Sequence, residues 1–212
     1  MSDRRLAARC WYGLVWCPCW AFTNLWFRFR CLGRSHVPAA GPVMLISNHQ
    51  SHLDPVLLGV GCPRQLRALA RKSLFFWPMS WLISSLGAVP VDRGGSGISG
   101  IKAVLKMMGN QEAVIIFPEG TRTRDGQLQP FQSGFAAIAR RSKATIVPAA
   151  INGAYEAMPR GKVFPRPRAT VALAFGPAIS PDEISQLSDD ELVQLVRESI
   201  SDMLAELTDG SK

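Results

Sequence analysis

The chain has 212 residues, of which 47% are hydrophobic and 19% charged, and this is enough for one globular domain with a buried core. Its formal net charge of +8 is unevenly placed, because residues 1–180 carry +15 and residues 181–212 carry −7, so the basic part predicts a phosphate-bearing partner. The sequence shows no recognition helix or aromatic platform, which argues against nucleic acid, and its odd number of five cysteines argues against a disulfide scaffold.

The first predicted element is an apolar N-terminal segment. Residues 10–27 contain no charged side chain, and arginines flank this stretch on both sides. Its length approaches the roughly 20 residues of a membrane-spanning helix, but its scattered tryptophans favour the membrane interface and Pro18 interrupts it. We therefore predict a membrane-associated segment over residues 1–32, with two short helices on either side of Pro18 that dip into one leaflet. A helix buried against the domain is the alternative.

Residues 33–212 are predicted to form a second unit, an α/β domain, because short apolar runs alternate with helical patterns. The predicted strands are residues 43–47, 66–70, 88–91, 113–117, 145–151 and 169–175. Helices are expected from residue 55, over residues 73–86, near residues 98–108 and 131–139, and in the C-terminal region, where capping boxes begin at residues 180 and 188. The expected fold class is α/β, with a mixed, mostly parallel sheet covered by helices.

The most informative motif is Asn-His-Gln-Ser-His-Leu-Asp-Pro at residues 48–55, directly after a predicted buried strand. Pro55 suits the first position of a helix, with Asp54 as its N-cap. His49 then lies in the turn after a strand, where α/β sheets bind ligands. If the intervening chain turns, the Asp54 carboxylate reaches the His49 ring and fixes its tautomer, so that His49 serves as a general base. A purely structural pair remains an alternative, as does metal binding by His49, His52 and Asp54.

Two further predicted strands lead into arginines. One runs into Arg93, and the other into Phe-Pro-Glu-Gly-Thr-Arg at residues 117–122. If these strands are parallel neighbours, Arg93 and Arg122 gather near His49, where guanidinium groups bind phosphate and Gly120 lets backbone N–H groups approach it. Ordinary surface arginines are the alternative.

Other motifs argue against competing chemistries. The Gly-Gly-Ser-Gly run at residues 94–97 lacks the Gly-Lys-Ser/Thr ending of a nucleotide-binding P-loop. No Gly-x-Ser-x-Gly motif of a serine esterase is present. Cys17 and Cys19 have no second Cys or His pair at zinc spacing. We therefore expect neither a metal nor a cofactor.

Four ordered segments resemble the blocks of the 1-acylglycerol-3-phosphate acyltransferase family, within the glycerolipid and lysophospholipid acyltransferases. Residues 48–54 resemble its Asn-His-x₄-Asp block, and residues 87–93 resemble its second block, which ends in Asp-Arg or a similar pair. Residues 117–122 match the third block, and residues 147–151 resemble the fourth, an apolar strand containing proline. One departure is Gln132, where many members carry the Lys of Phe-Lys-x-Gly.

The resemblance implies acyl transfer without a covalent acyl-enzyme. His49 would take the proton from a lysophospholipid hydroxyl while Asp54 orients the ring, and the activated oxygen would attack the thioester of acyl-CoA or acyl-carrier protein. The expected acceptor is 1-acylglycerol-3-phosphate, which gives phosphatidate. Glu119 would order its loop. The residues implied to bind substrate are Lys72, Arg93, Glu119, Gly120, Thr121 and Arg122.

The implied partners are a membrane lipid acceptor, acyl-CoA or acyl-carrier protein as co-substrate, and the membrane surface, with a location at the cytoplasmic face of the cell membrane. Three alternatives stay open. The acceptor could be another lysophospholipid, a lyso-aminolipid or glycerol-3-phosphate. The protein could also be a thioester hydrolase, or a lipid-binding protein without catalytic activity.

Overall fold

The computed structural model describes residues 2–75, 77, 79–85, 87–91, 98–162 and 164–209. The elements in chain order are α1 (Ser2–Trp26), β1 (Arg28–Leu32), a 3-10 helix (Arg34–His36), β2 (Val43–Ser47), α2 (Asp54–Gly61), β3 (Leu66–Arg71), a 3-10 helix (Lys72–Leu74), α3 (Met79–Ser85), β4 (Ala88–Val91), α4 (Ile98–Gly109), β5 (Ala113–Ile116), α5 (Gly134–Ser142), β6 (Thr145–Asn152), α6 (Ala154–Ala157), β7 (Thr170–Phe175), α7 (Pro181–Gln186) and α8 (Asp189–Asp209).

These strands form one sheet of seven, in the order β1-β7-β6-β2-β5-β3-β4. Strands β6, β2, β5, β3 and β4 are parallel to one another. Strand β7 runs antiparallel to β6, and β1 runs parallel to β7. The predicted α/β fold with a mixed, mostly parallel sheet is therefore confirmed.

The sheet is covered on both faces, which explains why its central strands read as continuous apolar runs. All five residues of β2 are buried. Its side chains alternate between two hydrophobic clusters, so that Met44 and Ile46 belong to one cluster and Val43 and Leu45 to the other. The first cluster also contains side chains of α4, α5 and α8, and the second contains side chains of α2.

Helix α1 differs from the prediction for the N-terminal segment. It continues from Ser2 to Trp26 with Pro18 inside, so the expected break into two short helices is wrong. Buried residues on both sides of Pro18, Val15 and Thr23, pack on the domain, and this packing supports the helix although proline removes one backbone hydrogen bond. No described helix combines the length and the apolarity needed to cross a bilayer.

The sequence prediction located the other strands to within a residue or two but missed β1 and the short helix α6. Strand β1 (Arg28–Leu32) pairs with β7 in the sheet, although the sequence assigns residues 28–32 to the N-terminal segment. The boundary after residue 32 stays a prediction. The single helix expected over residues 73–86 is also wrong, because a 3-10 helix (Lys72–Leu74) precedes a shorter α3 (Met79–Ser85).

The turn between β6 and α6 depends on a glycine. Gly153 has a φ of +83°, and a Cβ added there would lie 2.1 Å from the carbonyl oxygen of Thr170. Gly41 has nearly the same φ, +84°, but nothing lies within 4 Å of its Cβ position. We expect Gly153→Ala to lower the free energy of unfolding by at least about 2 kcal/mol more than Gly41→Ala, measured by urea denaturation. Equal losses of stability in the two variants would show that the effect comes from the positive φ and not from a clash between the added Cβ and Thr170 of β7.

Candidate functional site

The predicted site residues that the structure describes follow strands that end at one edge of the sheet, the edge where β2 and β5 end. These two strands are parallel and paired, so His49, two residues after β2, lies close to the loop that follows β5. The backbone N–H of Thr123 donates to the carbonyl oxygen of His49 at 2.8 Å. The β5–α5 loop is therefore fastened directly to the turn that carries His49.

The predicted contact between His49 and Asp54 is present. The Nδ1 atom of His49 lies 2.7 Å from Oδ2 of Asp54, whose side chain is fully buried, while the His49 side chain is 18% exposed. The same Oδ2 accepts the backbone N–H groups of Gln50 at 2.6 Å and Ser51 at 2.8 Å. One carboxylate oxygen thus holds both the imidazole and the turn that presents it.

The role predicted for Asp54 as an N-cap is wrong. Helix α2 begins at Asp54 itself, its N-cap position is Leu53, and no side chain caps it. The carboxylate points back to the N–H groups of the preceding turn instead. Its other oxygen, Oδ1, is buried and has no hydrogen-bond partner among the described residues.

The imidazole ring is held on its face as well as at its edge. It stacks on Phe117 with a centroid separation of 4.0 Å and an interplanar angle of 14°. Since an ionised carboxylate can only accept, Nδ1 carries the proton in the neutral ring. Nε2 is then the nitrogen that can take a proton from a substrate, which is the arrangement of a general base.

Glu119 lies behind this turn. Its side chain accepts the backbone N–H of His49 at 3.0 Å through Oε1, and only 7% of the residue is exposed. Burial raises the pKa of Glu119 to about 7, and the nearby Asp54 carboxylate adds to this increase. Glu119 therefore contacts the backbone of His49, and its predicted contact with substrate stays a prediction.

The other predicted residues that the structure describes follow strands that end at the same edge. Gly120 and Thr121 are exposed and Arg122 is half-buried, all in the loop that is bonded to His49. Lys72 is exposed at the end of β3, the strand next to β5. Arg93 lies outside the described residues.

Gln132, the departure from the family pattern, lies beside this loop. Gly120 has a φ of +68°, and a Cβ at that position would lie 2.9 Å from Nε2 of Gln132. The backbone N–H of Gln132 donates to the carbonyl oxygen of Pro118 at 2.9 Å. The side chain at position 132 therefore borders the loop predicted to bind phosphate.

Sequence reasoning missed the other polar residues of the first motif. The Asn48 side chain donates to the carbonyl oxygen of Ile151 at 2.9 Å and accepts its N–H at 2.8 Å. This pair links the end of β2 to β6. The run of polar side chains between a buried strand and a helix was a signal that these residues form structural hydrogen bonds. The sequence could not identify their partners, because these lie about a hundred residues away.

Two more residues of this motif connect the turn to α6. Oε1 of Gln50 accepts the backbone N–H groups of Ala154 at 3.1 Å and Tyr155 at 3.3 Å. The Ser51 hydroxyl donates to the carbonyl oxygen of Met158 at 2.8 Å. The residues on both sides of His49 thus fix the turn to neighbouring elements.

A metal-binding interpretation gains no support from the described part of the chain. It contains no group of three or more His, Cys, Asp or Glu side chains that could hold a metal ion. His52 is exposed, whereas the His49 ring is bound to Asp54.

Comparisons with known proteins identify relatives. Residues 28–152 match the family model described as acyltransferase. The chain is 32% identical over 184 residues to the 1-acyl-sn-glycerol-3-phosphate acyltransferase of Bacillus subtilis, and the match covers 84% of this chain and 87% of that protein. It is 31% identical over 149 residues to the chloroplastic 1-acyl-sn-glycerol-3-phosphate acyltransferase BAT2 of Brassica napus, covering 67% of this chain but only 43% of that longer protein.

A solved structure has the same fold. It is the crystal structure of the 1-acyl-sn-glycerophosphate (LPA) acyltransferase PlsC from Thermotoga maritima, with a TM-score of 0.84 and 26% sequence identity. The similarity covers 98% of this chain and 84% of that one. It therefore includes helix α1 and the C-terminal helices as well as the matched family region.

The raised pKa of Glu119 predicts a pH-dependent stability. The folded chain keeps this proton up to a pH of about 7, whereas the ordinary pKa of glutamate is 4.5, so the stabilisation from the proton is lost as pH rises from about 4.5 to about 7. We expect Glu119→Gln, which stays neutral, to match the wild type at a pH of about 4 and to exceed it by roughly 1–3 kcal/mol at a pH of about 8.

Urea unfolding at both pH values checks this expectation, with Glu206→Gln on the exposed face of α8 as the matched control. The control should change stability little at either pH. A difference between Glu119→Gln and the wild type that does not depend on pH would show that this carboxyl has an ordinary pKa in the folded protein.

Proposed function

The chain belongs to the 1-acyl-sn-glycerol-3-phosphate acyltransferase family of O-acyltransferases, and we propose that it transfers a fatty acyl group from a thioester to the free hydroxyl of 1-acylglycerol-3-phosphate, which gives phosphatidate. The single observation that carries this proposal is the hydrogen bond of 2.7 Å between His49 and the buried Asp54. The names of the Bacillus and Brassica relatives support the choice of acceptor. We propose acyl-CoA or acyl-carrier protein as the donor.

The proposed reaction begins with proton transfer. Nε2 of His49 takes the proton of the acceptor hydroxyl as its oxygen attacks the thioester carbonyl, and Asp54 stabilises the imidazolium that forms. No residue of the chain becomes acylated. Stacking on Phe117 and the bond from Glu119 to the backbone of His49 hold the ring in place, so little reorganisation is needed during the reaction.

The second half of the reaction returns the proton. The tetrahedral intermediate collapses, the carbon–sulfur bond breaks, and the imidazolium donates its proton to the departing thiolate. The products are the ester and the free thiol, and His49 is again neutral.

We propose that the acceptor phosphate binds in the loop after β5. Arg122 supplies a guanidinium group for a bidentate contact, and Gly120 and Thr121 lie beside it in the same exposed loop. Lys72 and Arg93 follow the next strands of the sheet and are proposed to add positive charge. Since the phosphate and the reacting hydroxyl are close in this acceptor, a phosphate site in a loop bonded to His49 has a suitable position.

A different acceptor headgroup is the second candidate, and Gln132 favours it. Its side chain borders Gly120 at a position where many relatives carry lysine. An amide lacks the charge of lysine and offers both a donor and an acceptor. This change suits a headgroup with fewer negative charges or with hydroxyl groups, such as another lysophospholipid.

We also propose that the protein works at a membrane surface, on the cytoplasmic face. Exposed apolar side chains of α1 support this, since Leu14 is 64% exposed and Trp11, Trp20 and Phe22 are each more than 40% exposed. Such side chains favour the bilayer interface. Docking there would give the enzyme access to an acceptor that resides in the leaflet.

In the main experiment, the purified protein is mixed with vesicles that contain one lysolipid from a panel. The acyl donor is then added, either acyl-CoA or acyl-carrier protein with a labelled acyl chain. We expect phosphatidate from 1-acylglycerol-3-phosphate, identified by mass spectrometry. Another acylated lipid would favour the second candidate. Release of free fatty acid at an unchanged rate without any acceptor would identify a thioester hydrolase, and absence of both products would contradict catalysis.

The role of His49 is tested by substitution. We expect His49→Gln to lower kcat at least roughly 100-fold, because general-base assistance contributes about 10²–10⁴ in rate. His52→Gln, in the same motif but exposed, should retain nearly full activity. Measured initial rates of thiol release compare the two variants. Full activity in His49→Gln would remove the proposed mechanism.

The role of Arg122 is tested by the pattern of kinetic constants. We expect Arg122→Gln to raise the KM for the acceptor roughly tenfold or more and to change the KM for the donor little, because it removes a charge-assisted phosphate contact. Arg141→Gln, at an exposed position of α5, is the charge-matched control. An increase only in the donor KM would assign Arg122 to the thioester carrier instead.

A further inference from the structure

A strongly basic loop lies outside the site described so far. Residues 159–168, here called the basic loop, connect α6 to β7 and contain four basic residues and no acid. These are Arg160, Lys162, Arg166 and Arg168, and all four are exposed. Among the described residues none of them forms an ion pair with a carboxylate. Their charges are therefore available to an external anionic partner.

The basic loop also presents an apolar side chain. Phe164 is 87% exposed, and backbone hydrogen bonds hold the residues that follow it. The N–H of Arg166 donates to Ala157 at 2.8 Å, and the N–H of Arg168 donates to Trp26 at 2.7 Å. An exposed aromatic ring is a feature of interaction surfaces when other apolar groups adjoin it.

The C-terminal end of α1 supplies those adjoining groups. The indole Nε1 of Trp26 donates to the carbonyl oxygen of Pro165 at 3.3 Å, next to Phe164. Trp26 is 40% exposed and stacks on Phe22, which is 42% exposed, and Leu25 is 86% exposed. The basic loop and the end of α1 therefore form one surface that is both apolar and positively charged.

This surface lies at the same edge of the sheet as His49. Strand β7 is antiparallel to β6, and β1 is parallel to β7, so β7 and β1 begin at the edge where β2, β5 and β6 end. The basic loop immediately precedes β7, and the end of α1 immediately precedes β1. The hydroxyl of Ser51 also bonds to Met158 at 2.8 Å, one residue before the basic loop.

We propose that the basic loop and the end of α1 form a docking surface for an anionic bilayer leaflet, which turns the His49 edge of the sheet toward the lipid. Arginine and lysine attract anionic headgroups, and Phe164, Leu25 and Trp26 enter the interfacial region. The role of this surface depends on the proposed function, because it would bring the enzyme to an acceptor in the leaflet. A soluble acidic protein could bind the four basic side chains, but the exposed apolar side chains of Phe164 and Leu25 would contribute little to that binding.

The test measures binding, which needs no turnover. The full chain and its variants are sedimented with vesicles of phosphatidylcholine alone or mixed with phosphatidylglycerol. The variants are Phe164→Ser and the double variant Arg166→Gln/Arg168→Gln. The controls are Leu195→Ser, which removes another exposed apolar side chain, and Lys106→Gln/Arg141→Gln, which removes two exposed charges elsewhere.

We expect the double variant to bind phosphatidylglycerol vesicles roughly tenfold or more weakly, with little change on phosphatidylcholine. Phe164→Ser should weaken binding several-fold to both kinds of vesicle. The affinity of the two control variants should stay within about twofold of the wild type. Urea unfolding of each variant separates lost binding from lost folding. With a short-chain acceptor in solution, the loop variants should transfer acyl groups at the wild-type rate.

Three results would overturn the proposal. The first is wild-type vesicle binding by both loop variants, and the second is failure of the wild type itself to bind anionic vesicles. The third is weakened binding of acyl-carrier protein in the double variant while Phe164→Ser binds vesicles normally, which would assign the surface to a soluble acidic partner. Absence of acyl transfer in the wild type would contradict the proposed function alone, because vesicle binding is measured without catalysis.

Discussion

The site depends on one buried carboxylate oxygen. Oδ2 of Asp54 accepts the His49 ring and the backbone N–H groups of Gln50 and Ser51, so the same atom shapes the turn and orients the imidazole. A buried carboxylate is stable only when such partners compensate for its lost hydration. The acid of the motif therefore shapes the turn as well as serving the proposed chemistry, and the two roles cannot be separated by sequence alone.

The parallel sheet explains why a short motif suffices to build the rest of the site. Strands β6, β2, β5 and β3 end at one edge, and the segments that follow them carry the polar groups. Gln50 and Asn48 bond to backbone groups near the end of β6, while Thr123 bonds to His49. These links hold the turn to β6, to α6 and to the β5–α5 loop, and none of them uses Nε2 of His49.

The reversed direction of β1 and β7 gives the same edge a second property. It brings the end of α1 and the basic loop to the edge of the sheet that carries His49, so exposed aromatic side chains and cations lie at the same edge as a histidine with a buried carboxylate partner. The proposed acceptor has a phosphate, an acyl chain and a hydroxyl, and it resides in a leaflet. An edge that combines cations, apolar groups and the proposed general base meets each of these chemical requirements.

The sequence by itself determined the class of fold and the central motif. Continuous apolar runs predicted the buried strands. The order of the motifs indicated His49, Asp54 and the loop of Arg122 as site residues. It did not reveal β1, whose alternating exposure is that of an edge strand and whose partner β7 lies about 140 residues away. It also misjudged the N-cap and the continuity of α1 through Pro18. Patterns of neighbouring residues encode periodicity and burial, whereas these features depend on contacts between distant segments, which only the tertiary structure decides.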